Sequence, residues 1–235
     1  MKKLALIGIV FAFCISLVGC TEGNPGNSTA EKPVGETAAS GEASSSTELV
    51  LVDTGLFIEG NSFSYALVIE NPHAGLIADR PQIRIEMVDA EGETILSVTD
   101  HLEYVAAGDR IVYCGAKSAP ETIHLVEFEL VTREDSWISV NDAPDRVKIY
   151  EVASLEQVTK EDGSVSFAGQ VENASDTEAT LRVSIALFDE AGKAITGVYA
   201  FAEKVPPGEM GSFNVAVPKS IPPFASFETY ATFAY

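Results

Sequence analysis

The chain has 235 residues, with 35 Asp and Glu against 15 Lys and Arg, and a formal charge of −20. A surface that negative repels phosphate backbones and anionic headgroups, which argues against a nucleic-acid role; it leaves solubility, or attraction of a cationic partner, as its use. Hydrophobic residues make up 46% of the chain, and only three are cysteine, so the fold has to be held by a core rather than by a disulfide framework.

Residues 1–19 begin with Lys2 and Lys3, continue as an apolar run from Leu4 to Val18, and lead into Leu17-Val18-Gly19-Cys20. The run is short for a permanent span and is flanked like a signal peptide. Leu-Val-Gly-Cys resembles the lipobox of bacterial lipoproteins. That resemblance implies a mature chain starting at an acylated Cys20 (palmitate among its acyl chains), lipid-anchored to the cell membrane on its extracytoplasmic face. Two or more acyl chains anchor stably where one does not. An aspartate after the cysteine commonly retains Gram-negative lipoproteins in the inner membrane; Thr21 stands there instead, which implies outward sorting if an outer membrane exists. Losing Lys2 and Lys3 takes the formal charge from −20 to −22. Cys14 leaves with the leader and Cys20 carries lipid, so Cys114 has no partner for an intramolecular disulfide.

Residues 20–47 follow as a tether. From Thr21 they contain no aromatic and one large aliphatic, Val34, among Gly, Ser, Thr, Ala and Glu. Such a segment cannot bury enough apolar area to offset its ordering entropy and reads as disordered. Its coil span is about 30 Å and its full reach about 90 Å.

From Glu48 onward the pattern has period two. Phe63, Tyr65, Leu67 and Ile69 alternate with smaller or polar residues; Ile83, Ile85 and Met87 alternate with Gln82, Arg84 and Glu86; Val126, Phe128 and Leu130 alternate with Glu127 and Glu129. Later, Val165, Phe167 and Val171 repeat the pattern, and Val183, Ile185 and Leu187 alternate with Arg182, Ser184 and Ala186. Each segment predicts a strand with one buried face, and their spacing predicts β-sandwiches. No amphipathic helix is expected after the leader. Phe224 to Tyr235 predicts a terminal strand that completes the second sandwich or, left unpaired, adds to a partner's sheet.

The chain also repeats itself. At an offset of 100, Ile85, Asp89, Gly92, Ile95, Val98, Glu103, Val105 and Gly108 recur as Ile185, Asp189, Gly192, Ile195, Val198, Glu203, Val205 and Gly208. Upstream the offset is 102, with Glu70-Asn71 matching Glu172-Asn173, so the first copy has a loop two residues longer. Asp-Ala-Glu-Gly and Asp-Glu-Ala-Gly predict hairpins in which aspartate starts a type I turn and glycine supplies the left-handed residue.

The second copy carries GQVENAS, then Ile185-Ala186-Leu187-Phe188-Asp189 with Gly192, then Pro206-Pro207-Gly208-Glu209 and Ser212-Phe213. This resembles the FxLYD domain, an immunoglobulin-like β-sandwich of bacterial exported proteins. Phe188 replaces its tyrosine and Ile185 its first phenylalanine, and the first copy has Met87-Val88 where the motif wants Leu-Tyr. The resemblance implies an all-β fold of two tandem immunoglobulin-like antiparallel sandwiches, and it brings no catalytic residues. The polar break Asn141 to Asp145 divides the chain into residues 48–144 and residues 145–235. Trp137, just before it, packs at the junction of the two units or caps the first core.

Motifs of catalysis are sparse. His73, His101 and His124 lack zinc spacing, so no metal or cofactor is expected; His73 reads as an exposed loop residue and His124 as a core-edge residue. Cys114 could pair with His101 or His124 as a nucleophile, but nothing beside it lowers a thiol pKa, and a half-buried strand cysteine is the simpler reading. The pairs Asp89/Glu91 and Asp189/Glu190 fall on solvated hairpin tips. Asn27-Ser28-Thr29 and Asn173-Ala174-Ser175 match the glycosylation sequon, which means little in a bacterial lipoprotein.

The reading is a non-catalytic binding or scaffold module of the bacterial cell envelope, with the membrane through Cys20 and an envelope protein or a glycan as partners. Loops carry binding in such folds, so the loop after Asn71, the turn tips and the groove between the sandwiches are the places to look. The alternatives are an accessory subunit of an envelope transporter or wall enzyme, and an enzyme using Cys114.

Overall fold

The alternating segments form antiparallel strands through most of the residues that the computed structural model describes, 47–142 and 150–234. The leader, Cys20, the tether before Thr47 and the division at 144/145 lie outside the described residues. In chain order the first sandwich holds β1 (Val50–Glu59), β2 (Ser62–Glu70), β3 (Leu76–Asp79), β4 (Gln82–Val88), β5 (Thr94–His101), β6 (Tyr104–Val105), β7 (Arg110–Ser118), β8 (Leu125–Val131) and β9 (Trp137–Ser139). The second holds β10 (Val152–Thr159), β11 (Val165–Glu172), β12 (Ala179–Phe188), β13 (Ala194–Val205), β14 (Met210–Val217) and β15 (Ser226–Phe233). Among the described residues the only helical piece is one 3-10 turn, Glu134–Ser136.

Sheet β1-β2-β7 faces sheet β5-β4-β8 in the first sandwich, and β10-β11-β14 faces β13-β12-β15 in the second. Strand for strand this is one topology used twice, with the immunoglobulin-like order that the sequence predicts. The register repeats as well: Ile85 pairs with Val98, and Ile185 with Val198. Rings bridge each pair of sheets, Tyr65 to Phe128 at 5.2 Å between centroids and Phe167 to Phe227 at 4.9 Å. The alternating residues account for the cores: Tyr65, Leu67, Ile69, Ile83, Ile85 and Met87 are fully buried, as are Phe167, Leu181, Val183, Ile185 and Leu187. The terminal aromatic segment forms β15, paired along its length with β12.

The shared turn chemistry is visible atom by atom. Asp89 Oδ1 accepts the amides of Glu91 (3.0 Å) and Glu93 (2.8 Å), and Asp189 Oδ1 accepts those of Ala191 (2.9 Å) and Lys193 (2.9 Å). Gly92 and Gly192 close these hairpins at φ of 87° and 76°, a region costly for residues with a Cβ. These aspartates are turn formers, each with Oδ1 occupied by two backbone amides.

The copies differ after the conserved asparagine. In the first copy the longer loop forms β3, which pairs with β6 and β9 as a small third sheet. Trp137, in β9, packs on the first core and meets the His73 ring edge-on at 5.1 Å. It therefore caps the first core. His73 is half-buried, with Nε2 shut off from solvent, rather than exposed, because that loop folds back as strand. His124 is exposed and Ile123 takes the core-edge position instead; the alternation of β8 does not extend back to it.

One expectation fails for a physical reason. Ser184 and Ala186, on the side of β12 read as solvent-facing, are 1% and 0% exposed. The outer face of β1-β2-β7 is laid against the outer face of β13-β12-β15, burying Ala66, Val68, Val112 and Cys114 from one side and Ala186, Phe188 and Ala194 from the other. The chain is thus four sheets deep. The same docking could in principle continue at the two remaining outer faces, since they are copies of the docked ones. It does not carry over in chemistry. Where the docked faces have Val68, Val112 and Cys114, the free face of the second sandwich has Gln170, Ser212 and Asn214; where they have Ser184, Ala186 and Tyr230, the free face of the first has Arg84, Glu86 and Glu129. Charged and amide side chains at those positions oppose open-ended stacking of copies.

Candidate functional site

The junction between the sandwiches carries its own set of buried polar groups, Ser184 and Thr196 among them. It starts from strands whose two faces are both apolar, so that each can serve a core and a neighbouring sheet at once. The polar groups between them are matched. The Cys114 amide donates to Ser184 Oγ at 3.2 Å, Ser64 and Thr196 share a hydroxyl bond of 2.7 Å, and the Ala194 amide donates to Asp53 Oδ2 at 2.7 Å. At the margin Arg110 pairs with Glu228, and Tyr230 donates to Asp109 Oδ2 at 3.3 Å.

Cys114 sits at the centre, fully buried. Burial pushes its thiol up to about 12, against the opposing pull of Arg182 and of hydrogen bonds with Ile185 and Ser184. A thiol held protonated and closed to solvent is a poor nucleophile. Its polar neighbours are Ser184 and Arg182, not a histidine. The half-buried strand cysteine of the sequence is thus a fully buried interface cysteine.

Arg182 is the residue that sequence reasoning passed over as an ordinary outward-facing polar side chain. It leaves β12, donates through Nη2 to the carbonyl of Cys114, and lies over the rings of Tyr113 and Tyr199 at 4.5 and 4.2 Å. Stacking of this kind suits a guanidinium, which is planar and weakly hydrated. Its Nε is buried with no acceptor. The only sequence signal was a charged residue inside a largely apolar strand, LRVSIALF.

Next to Arg182 lies a second group that the sequence did not mark. Asp100, at the end of β5, accepts from Tyr65 (2.6 Å), Lys117 (2.6 Å) and Tyr113 (3.3 Å). Its side chain is 12% exposed. Burial pushes its pKa up, but the bonds from Lys117 and Tyr65 and the charges of Lys117 and Arg182 prevail and hold it below the usual carboxylate range. Burial, with the Asp100 charge adding, drives the Tyr65 hydroxyl far above the normal phenol range, so it stays a donor. A depressed carboxylate contributes stability above its unfolded pKa of about 3.9 and loses it as pH falls through the folded value. Asp100→Asn is therefore expected to lower stability by about 1–3 kcal/mol near pH 7 and to flatten the acid limb below about pH 4, as read by denaturant unfolding at several pH values. A variant as stable as the parent at pH 7 would show that this cluster does not hold the fold.

The places named from sequence are distributed differently. The groove between the sandwiches is filled by the close-packed junction over most of its area. At one margin Asp100, His101, Tyr113, Lys117, Arg182 and Phe201 border a cleft of about 290 Å3, and at another Phe57, Phe63, Ala116 and Ile221 border a smaller one of about 170 Å3. His101 is exposed on that rim, far from any role with Cys114 shown by the contacts. The loop after Asn71 is committed to the small sheet. Asn173 of the sequon is fully buried and fully bonded. Among the described residues no group of three or more His, Cys, Asp or Glu side chains is placed to hold a metal, and no helix is long and apolar enough to cross a membrane.

No family model and no curated protein matches the sequence. Among solved structures, the N-terminal CBM22-1–CBM22-2 tandem domain of Xyn10C from Paenibacillus barcinonensis is similar over 81% of this chain and 87% of that one, at 11% identity and a TM-score of 0.19. A likeness that slight carries no argument.

Proposed function

We propose that this chain is a lipid-anchored, non-catalytic binding or scaffold protein of the bacterial cell envelope. Cys20 carries the acyl chains, residues 20–47 hold the folded part off the membrane, and two FxLYD-like sandwiches act as one rigid head. The observation that carries this reading is the junction. Its hydroxyls and thiol are spent on docking one sandwich to the other rather than poised to react, and the result is a block that presents fixed surfaces. Rigid presentation lowers the entropy lost on binding, which is what a recognition module or spacer needs.

The test has two arms in intact cells. The full chain is expected in the membrane fraction and open to protease added from outside, and Cys20→Ser is expected to leave the membrane fraction. Crosslinking then reads the head: recovery of wall glycan or a distinct envelope protein supports a binding role. A Cys20→Ser chain that stays with the membrane, or a full chain shielded inside the cell, overturns the anchoring.

A further inference from the structure

The end of the junction at Arg182 has an electrostatic imbalance. Asp100 is the carboxylate of the cleft, and its oxygens are already taken by Tyr65, Tyr113 and Lys117. Arg182 borders the same cleft, and among the described residues no carboxylate lies within 4.0 Å of its guanidinium nitrogens. One carbonyl, the faces of Tyr113 and Tyr199 and, at 6.0 Å, that of Phe201 are its partners, and Nε has no hydrogen-bond acceptor. The Arg182 charge acts on Asp100 without a direct ion pair to it, so its guanidinium is left with donors unspent, and its planar fork matches an oxyanion in two-point contact.

The surroundings extend that preference. Lys117, paired with Asp100, is 30% exposed, and His101 stands on the rim. In a chain of formal charge −20 this is a local concentration of basic side chains. Phe201, 43% exposed, lies against Tyr199 with ring centroids at 5.6 Å and offers an apolar face at the lip. A few convergent polar groups beside an aromatic wall are the usual make-up of a small-ligand site, and 290 Å3 is at the small end of such sites.

We infer that this cleft binds a small organic carboxylate, its oxyanion on Arg182 and its apolar body on Phe201. The inference rests on reading the chain as a binding module and assigns that module a ligand class. The test is calorimetric titration of the full chain with benzoate, with benzamide as the neutral isostere and inorganic phosphate as a second anion. Benzoate is expected to bind with a Kd in the millimolar range or tighter, and benzamide at least about tenfold more weakly. Phe201→Ala, at an exposed position outside both cores, is expected to weaken benzoate severalfold with an unchanged thermal midpoint. Arg182→Lys keeps the charge and loses the fork, so it is expected to weaken binding further. No benzoate heat, equal binding of benzamide, or phosphate binding without benzoate overturns the assignment, as does full affinity in both variants. Each of those results leaves the membrane fractionation untouched, so failure here and failure of the anchored-module reading are told apart.

Discussion

Gly197→Ala is expected to lower the unfolding midpoint by several degrees and to make Cys114 reactive toward thiol reagents. A Cβ on residue 197 would fall 2.3 Å from Cys114 Sγ, 2.8 Å from its Cβ and 3.1 Å from the Ile185 carbonyl oxygen. Neither neighbour has room to retreat. Cys114 is bonded through its amide to Ser184 and through its carbonyl to Arg182, and Ile185 sits mid-strand in β12. The two docked sheets have to separate. Overpacking costs about 1–3 kcal/mol, and at about 2–4 °C per kcal/mol for a fold of this size the midpoint falls by roughly 2–12 °C. In the parent, Cys114 is buried with its thiol pushed up to about 12, so labelling waits on unfolding. In the variant it should proceed under native conditions. Cys114→Ala in the same background removes the shortest clash and should restore part of the midpoint. An unshifted midpoint with a silent thiol would mean that the sheets are not packed this closely.

The second large effect is at the repeated asparagines. Asn71 is fully buried; its Nδ2 donates to the carbonyls of Leu76 (2.8 Å), Val105 (3.1 Å) and Ala106 (3.0 Å), and its Oδ1 accepts the His73 amide at 3.0 Å. Asn173 does the same work in the second sandwich, donating to Thr177 and Val205, each at 2.8 Å, and accepting from the Ser175 amide at 3.0 Å. One amide thus satisfies the backbone where the chain passes from one sheet to the other. Alanine at either position strands several buried backbone groups, each worth about 1–3 kcal/mol, and the expected loss is about 3–5 kcal/mol. Aspartate should be worse than alanine at neutral pH, because it turns a carboxylate toward carbonyl oxygens that need a donor. Chemical denaturation of Asn71→Ala, Asn71→Asp and Asn173→Ala reads the ranking. A loss below about 1 kcal/mol in the alanine variants would reduce these residues to ordinary loop positions.

These asparagines show how far the sequence could be read. Glu-Asn recurs in both copies and marks the repeat, but alongside partners two to five residues away each asparagine bonds carbonyls more than thirty residues downstream, which no local pattern encodes. The Asp-x-x-Gly hairpins are the opposite case. Their bonds run two to four residues along the chain, so the residue types alone specify them. His73 and His124 fall between. The polar loop around the one is folded back by β9, which starts about sixty residues later, and the other sits one residue before a regular strand begins. Arg182 was hidden because an arginine between apolar residues satisfies the alternation rule, whatever lies opposite it.

By itself, the sequence determined the all-β class, the duplicated topology, the hairpins and both cores, because period-two patterning and turn chemistry act over a few residues. Only the tertiary structure decided how the two sandwiches meet. The signal for it was present as strands apolar on both faces: Tyr65 to Ile69 and Ile111 to Cys114, against the clean alternation of Val165 to Gln170 and Ser212 to Val215 in their counterparts, and Ile185 to Phe188, against Gln82 to Met87 in its counterpart. A strand apolar on both faces has to be covered on both. Which sheet covers it, and that Gly197 lies opposite Cys114 with Arg182 left at an open end, depends on shape matching between residues some eighty positions apart, and that is settled only by packing.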